Sequence, residues 1–285
     1  MTEHLTTITT AITGGVIWEG FKFLHPEVKR YFTTRREASK IFYENLDPIL
    51  KSASELYGKL ESLAKEDLSS FINLDNSNSI DPLHNQKYVF YLFAQFWAQI
   101  EYLRLESQYT DLSKIKKGKE LLRFIETIES RKFRILDRSM QRILGECLIK
   151  EQGHRFRVMS LKEFTETLDT SESKLSQWLE NLKSTLFSTN KKEARQLILR
   201  FGVIIAILID HFDPNYKTVR RREIYTNKLS KKSKSIIRNN LTNHYLSFIS
   251  NKRQILLKIR ARRFFSFYKL LKSLDSSVIV KQIFI

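Results

Sequence analysis

KYVFYLFAQFWAQIEYLRLESQY (residues 87–109) and LLRFIETIESRKFRILDRSMQRILGECLIK (residues 121–150) combine apolar area and helical spacing more clearly than any other part of the chain. Tyr88, Tyr91, Leu92, Gln95, Phe96, Gln99, Ile100 and Leu103 recur at intervals of three and four, which lays one broad stripe along a helix. Phe90, Phe93, Trp97 and Tyr102 fall off that stripe, so this helix is apolar nearly all round and belongs at the centre of a core. Leu121, Leu122, Phe124, Ile125 and Ile128, then Ile135, Leu136, Met140, Ile143, Leu144 and Leu148, supply two further stripes to pack on it.

Composition agrees with helices. The chain has 285 residues, enough for one sizeable core or two domains, yet only 8 Gly and 4 Pro. A sheet protein needs such residues at every reversal, so their scarcity favours long helices joined by short polar loops. Cys147 is the single cysteine. It excludes an intramolecular disulfide or a multi-cysteine metal site, fits a reducing compartment, and in ILGECLI reads as a buried inert thiol.

The net charge of +18 is not spread evenly. Residues 214–285 hold 18 Lys+Arg against 2 Asp+Glu, whereas the first 213 residues hold 31 against 29. An ordinary body thus precedes an extremely basic extension.

Residues 5–18, LTTITTAITGGVIW, are uncharged, and Lys22, Lys29, Arg30, Arg35, Arg36 and Lys40 follow them. The run is shorter and more polar than the ~20 apolar residues of a good spanning helix, and it lacks the marks of a signal peptide. Three readings stay open for segment 1–25: a weak anchor with its basic flank in the cytoplasm, an interfacial helix, or a core helix. The body, 26–213, begins with Pro26 opening a helix and Asp47-Pro48 restarting one after a break or kink. A polar Asn/Ser loop at 71–81 lets the chain turn back, and Lys114, Lys116, Lys117 and Lys119 read as a solvated helix start.

Ser160 and Glu163 have the spacing of a capping box. Residues 161–180 carry the apolar spacing of a helix-turn-helix that would present Ser171, Glu172, Ser173, Lys174 and Gln177 to bases. Five acids against two lysines in that segment, with Asp169 at the turn, make a plain helical hairpin the better reading. Residues 191–213 form the last body helix, whose uncharged run from Phe201 to Ile209 is too short to span a bilayer and reads as buried. Asp213-Pro214 closes it.

The extension mixes Ile255, Leu256, Ile259, Phe264, Phe267, Tyr268, Leu270 and Leu271 with basic residues, as a basic amphipathic helix does. Such helices bind anionic membrane surfaces or nucleic-acid backbones. The residues expected to meet that anionic surface are Arg220, Arg221, Arg222, Lys231, Lys232, Lys234, Arg253, Lys258, Arg260, Arg262 and Arg263. The terminal VIVKQIFI is apolar and β-prone.

No pattern of catalytic chemistry emerges. G-x-x-x-x-G-K-S/T, G-x-G-x-x-G and H-E-x-x-H are all absent, and the six histidines are scattered without ligand spacing. Glu126 with Glu129, and Asp210 with Asp213, could share helix faces, a spacing that is mostly solvated. No enzyme site, metal or cofactor is expected.

The stretches RREASKIFYENLDPILKSASELYGKL (35–60), YLFAQFWAQIEYLRLESQYTDL (91–112), FRILDRSMQRILGECLI (133–149) and LIDHFDP (208–214) resemble an uncharacterised family of bacterial all-helical, often membrane-proximal proteins. The resemblance covers roughly residues 25–214 and carries no catalytic motif. It implies a body that is one unit ending near Pro214, and a first segment that meets a membrane.

The sequence therefore reads as an all-α, up-and-down helical bundle with a basic helical extension at 214–285. The favoured function is a non-enzymatic interaction protein on a cytoplasmic membrane surface. The alternative is nucleic-acid binding through the extension, with or without the 161–180 hairpin, and an enzyme built on the central helices is the third reading. Trp97 tests the core assignment. On the central helix among Phe93, Phe96 and Ile100, its replacement by Ala should cost about 3–5 kcal/mol in denaturant unfolding. A loss below about 1 kcal/mol would place it on the surface.

Overall fold

Proline is tolerated in a helix's first turn, but further in it removes a hydrogen bond and crowds the preceding turn. The first helix, α1 (Thr2–Lys65), nevertheless runs through both Pro26 and Pro48. The expectations that Pro26 opens a helix and that Asp47-Pro48 restarts one are corrected. Around Pro48, Phe42, Ile49, Leu50 and Ala53 are all buried, and that packing offsets a penalty of roughly 3 kcal/mol. Asp47 pairs with Lys51 at 2.6 Å.

The computed structural model describes residues 2–68, 80–153, 155–169, 174–220 and 228–260, without the side chains of 2–28, 80–85, 155 and 258–260. The side chains of the 5–18 run, residues 71–79 of the expected 71–81 loop and everything beyond 260 therefore lie outside the described residues, while Ile80 and Asp81 already belong to a helix. From Lys29 to Glu37 every α1 side chain except Thr34 is exposed, and burial starts at Ala38.

Three long helices make the centre: α1, α2 (Ile80–Glu106) and α7 (Lys192–Phe212). Val89 to Ala98 on α2 are buried on every side except at Gln95. The Phe93 and Phe96 rings meet Phe201 of α7 at 5.7 and 6.4 Å between centroids. This is the all-round burial expected of the central helix, and Trp97 is 2 % exposed. The smaller helices clothe this centre: α3 (Lys116–Ile128), α4 (Arg138–Cys147), α5 (Leu161–Asp169) and α6 (Lys174–Phe187). Helix α4 can approach α2 closely because Gly145 lies against the Trp97 backbone, where an added Cβ would sit 2.8 Å from the carbonyl oxygen. The fold is an all-α bundle, as the sequence indicates.

Leu148, the last residue of the expected stripe, is buried, but the helix ends at Cys147, with Leu148 at the C-cap. After Cys147 the chain enters an antiparallel hairpin, β1 (Ile149–Gln152) and β2 (Arg155–Val158), in register Ile149 to Val158 and Gln152 to Arg155. Gly153, at φ 63°, supplies the left-handed residue that a two-residue hairpin turn demands. Met159 N–H donates to the Leu148 carbonyl and its own carbonyl accepts from the Tyr91 hydroxyl, which ties the hairpin to α2. The Ser160–Glu163 capping box is present, with reciprocal bonds at α5's first turn. Arg157 also holds the Glu163 carboxyl well below the usual range, with Ser160 helping.

The core does not end at Pro214, where the expected body ends. The Asp213 carboxylate accepts from the backbone N–H groups of Lys217, Thr218 and Val219, which turns the chain back over the body. Helix α8 (Lys231–Ile236) then widens into a π-helical stretch, Ile237–Tyr245, followed by α9 (Lys252–Arg260). Leu229, Ile237, Leu241, Leu246, Ile249 and Ile255 are buried in the same core as the body. Phe248 packs on Phe124 and His211 at 5.8 and 5.4 Å. The charge step and the edge of the core are different places, because a helix can bury one stripe while its cations face water.

A chain ending at Asp213 should therefore fail to give the cooperative melt of the full chain, and should bind a hydrophobic dye or aggregate. An unchanged, reversible transition in the truncated chain would show that residues 228–255 merely rest on a finished core.

Candidate functional site

Of the eleven residues expected to meet an anionic surface, Arg220, Lys231, Lys232 and Arg253 are exposed and Lys234 is partly buried. Lys258 and Arg260 lie on α9 without described side chains, and Arg221, Arg222, Arg262 and Arg263 are outside the described residues. Lys231 and Lys232 line a common cavity. Ile255, counted in the apolar stripe of that extension, faces the core at 2 % exposure, while Leu257 is 62 % exposed.

A second set of cations gathers on α1. Phe32, Arg35, Arg36, Lys40 and Tyr43 form one wall of an open groove of about 800 Å³, and Ile115, Lys116 and Lys117 at the start of α3 form the other. Phe32 and Tyr43 are each 62 % exposed, and Tyr31 stacks edge-on to Phe32. Glu44 is the groove's one carboxylate, 4.0 Å from Lys40. The α1 cations were visible in sequence as a basic flank. Their meeting with Lys116 and Lys117 was not, because those lysines join the groove from a different helix.

The larger cavity, about 1200 Å³, opens at the far end of α1. It lies between the turn at Asp67 and Leu68, the first half of α7 and the start of α8. Eight lysines and arginines line it against two carboxylates, Asp67 and Glu193. Asp67 is already engaged by Lys228 at 2.8 Å, which holds its carboxyl below the usual range. The two turn residues adopt left-handed backbone, φ 54° and 62°, at positions without glycine, a strain of order ~1 kcal/mol each.

Two buried charge clusters could resemble catalytic machinery. Glu129 accepts from Arg104 at 2.6 Å, Arg138 at 2.7 Å and Arg142 at 3.2 Å, and Arg104 also pairs with Glu101. Burial pushes the Glu101 carboxyl up, with Arg104 opposing. At Glu129 burial acts the same way, but the bonds from Arg142 and Arg104 outweigh it and the carboxyl is held down. These arginines join the ends of α2, α3 and α4 and face no described cavity, so the cluster is a structural knot. Glu126 and Glu129 do not act as a pair: Glu126 is solvated beside Arg123 at 3.5 Å, while Glu129 is buried. Asp210 and Asp213 also separate: the first accepts from the Tyr216 hydroxyl and the second organises the turn.

His211 is the second cluster. Its Nε2 lies 2.9 Å from Glu120 Oε2, and its ring packs against Phe124, Phe212 and Phe248. Burial lowers its pKa, partly opposed by Glu120. Its described neighbours are a carboxylate and three phenyl rings, and among the described residues no group of three acidic, His or Cys side chains could hold a metal. Cys147 is half-buried, and burial pushes its thiol up, in keeping with an inert thiol.

No protein-family model matches the chain, and neither a curated protein nor a solved structure does so. Among the described residues no helix is long and apolar enough to cross a membrane.

The two clusters predict separate pH responses. The unfolded chain protonates His211 first, so stability should fall as pH drops below the ordinary value of 6.5, and His211→Gln should flatten that limb. The Glu129 contribution should persist until pH falls below 4.5 and be lost through its lower folded value, with Glu101 pulling the opposite way. At neutral pH Glu129→Gln should cost about 2–3 kcal/mol, less than a fully buried pair because its arginines can rehydrate. Urea melts from about pH 8 to about pH 2 read all three effects.

Proposed function

We propose that this is a non-enzymatic helical interaction protein that works at an anionic membrane surface, on the cytoplasmic side. The observation that carries this reading is the groove on α1, where exposed aromatic rings alternate with cations. Phe32 and Tyr43 offer rings that sit favourably at headgroup depth, and Arg35, Arg36, Lys40, Lys116 and Lys117 face the same opening. A basic residue near an anionic leaflet contributes about 1 kcal/mol, and ring burial adds a component that salt does not screen. The uncharged run 5–18 precedes this groove on the same helix, whose stretch from Lys29 to Glu37 is clear of the core. The resemblance to membrane-proximal helical proteins points the same way.

Nucleic-acid binding through the basic extension is the rival, favoured by the exposed Lys231 and Lys232 at the cavity rim. The two differ in their response to salt and to removal of apolar groups. Phosphate contacts alone lose affinity linearly in log salt, with a slope of about 0.9 per contact on duplex DNA. Duplex DNA also offers no exposed base faces for rings to stack on.

Flotation with phosphatidylserine vesicles should recover the full chain, and Phe32→Ser with Tyr43→Ser should weaken binding about tenfold or more while leaving duplex binding unchanged. Replacing Phe264, Phe265, Phe267 and Tyr268 by Ser in a second variant measures the share carried by the extension. Tight duplex binding that survives all six replacements, with no vesicle binding by the full chain, would overturn the membrane reading.

A further inference from the structure

An arginine whose burial is not matched by a carboxylate is an anomaly, because a guanidinium stays charged and an unpaired buried charge is costly. Arg200, on α7, is such a residue. It is half-buried at the cavity beyond the end of α1, and among the described residues no carboxylate pairs with it. Its one described bond runs from Nη1 to the Ser233 hydroxyl at 3.3 Å, and its buried Nε has no partner. Burial lowers its pKa, with no opposing acid.

The surroundings repeat the imbalance. Arg131, Lys192, Lys231 and Lys232 reach the same cavity, each exposed and without a described carboxylate partner. Leu68, Leu199 and Leu229 are buried among the lining residues and give the cavity an apolar component. The rim is fixed before any ligand arrives. Gln196 donates from Nε2 to the Lys228 carbonyl at 3.1 Å and accepts from Ser230 N–H at 2.8 Å, which locks the chain entering α8. Lys228 in turn is tied to Asp67.

We propose that this cavity binds a small, multiply phosphorylated molecule, with Arg200 as its central anchor and Arg131, Lys192, Lys231 and Lys232 closing on the outer phosphates. A guanidinium presents a planar fork that matches two phosphate oxygens, and lysines add charge around it. The volume of about 1200 Å³ exceeds what a single phosphate fills and is slightly above the ~300–1,000 Å³ of most small-molecule sites. Phosphate groups also occur on lipid headgroups, but a membrane held at the α1 groove is out of reach. Phe32 and Ala64 lie on one helix, 32 residues or about 48 Å apart along its axis. That step alone rests on the membrane reading; the cavity argument does not.

The test uses the full chain with tripolyphosphate and ATP as probes, at constant ionic strength set with sodium chloride. Calorimetry should show saturable binding, and both probes should raise Tm beyond the chloride control. Arg200→Met should weaken binding at least tenfold while the Tm of the free protein stays level or rises, since the change removes an unpaired buried charge. A fall in the free protein's Tm would assign Arg200 a structural role and overturn its place as anchor. Lys231→Ser with Lys232→Ser, at exposed positions where folding is not at stake, should weaken binding several-fold. Binding equal to wild type in both variants, or no Tm gain over chloride, would overturn the site. A short DNA duplex that competes better than tripolyphosphate, and does so through Arg200, would replace the small molecule by a polynucleotide. Vesicles containing phosphoinositide should bind wild type and Arg200→Met alike. Loss of vesicle binding in that variant would make a lipid headgroup the ligand and overturn the soluble one.

Discussion

A helical stretch with no polar face must be covered on every side, and the second half of α7 imposes that demand on the protein. From Phe201 to Ile209 each of its residues is buried, Gly202 included. Helix α1 covers one flank, and α2 closes another through the rings of Phe93 and Phe96. Helix α3 reaches its end through Phe124, which packs on His211 and Phe212. What remains is covered from the chain beyond Pro214, where Phe248 packs on His211 and Gln196 grips the backbone at Lys228 and Ser230. The basic extension is thus bound into the core by the same hydrophobic requirement that built the body, despite its charge.

That requirement also explains where the charge goes. Residues 228–257 bury Leu229, Ile237, Leu241, Leu246, Ile249 and Ile255 while Lys231, Lys232 and Arg253 stay exposed. Docking a basic segment on a body of nearly balanced charge concentrates cations at the seam. Where the seam also meets Arg131, Lys192, Arg195 and Arg200 it becomes a cavity with eight cationic side chains and two acids. The π-helical stretch follows α8 along this seam and places Asn240 within reach of Lys132 at 2.7 Å.

Much of the fold was legible because helical burial leaves a period in the sequence. The stripe on α2, the burial of α7, the capping box at Ser160 and Glu163 and the turn at Asp213 each arise within a few consecutive residues, and each was readable locally. What escaped depended on partners far away in sequence. Pro48 looks like a break until Phe42, Ile49 and Leu50 are known to be buried around it. The hairpin at 149–158 is too short and too exposed to show strand alternation; its signal was Gly153 between two polar runs. The docking of 228–255 is hidden because the step in charge at Pro214 does not mark an edge of packing. Neither site could be seen whole: one groove joins residues 32–44 to 115–117, and the cavity draws on four separate segments. Lys231 and Lys232 were picked out for their charge, but Arg200 carried no local signal, since an arginine within an apolar run normally finds an acid.

The contrast between the two kinds of arginine in this protein bears on what each is for. Arg104, Arg138 and Arg142 converge on Glu129, so their charge is answered within the chain and they hold three helix ends together. Arg200 is half-buried and, among the described residues, has only a hydroxyl for a partner, and Glu193, the nearest acid on its own helix to line the cavity, is exposed seven residues away. A protein that solves the buried-charge problem once with carboxylates, and leaves it open in a cavity of about 1200 Å³, has separated a structural use of arginine from a receptive one. The first use needs no ligand and should make that region insensitive to anions. The second leaves a favourable interaction unused in the free protein, and it is that unused interaction, rather than the overall +18 charge, that gives the cavity a reason to select phosphate groups.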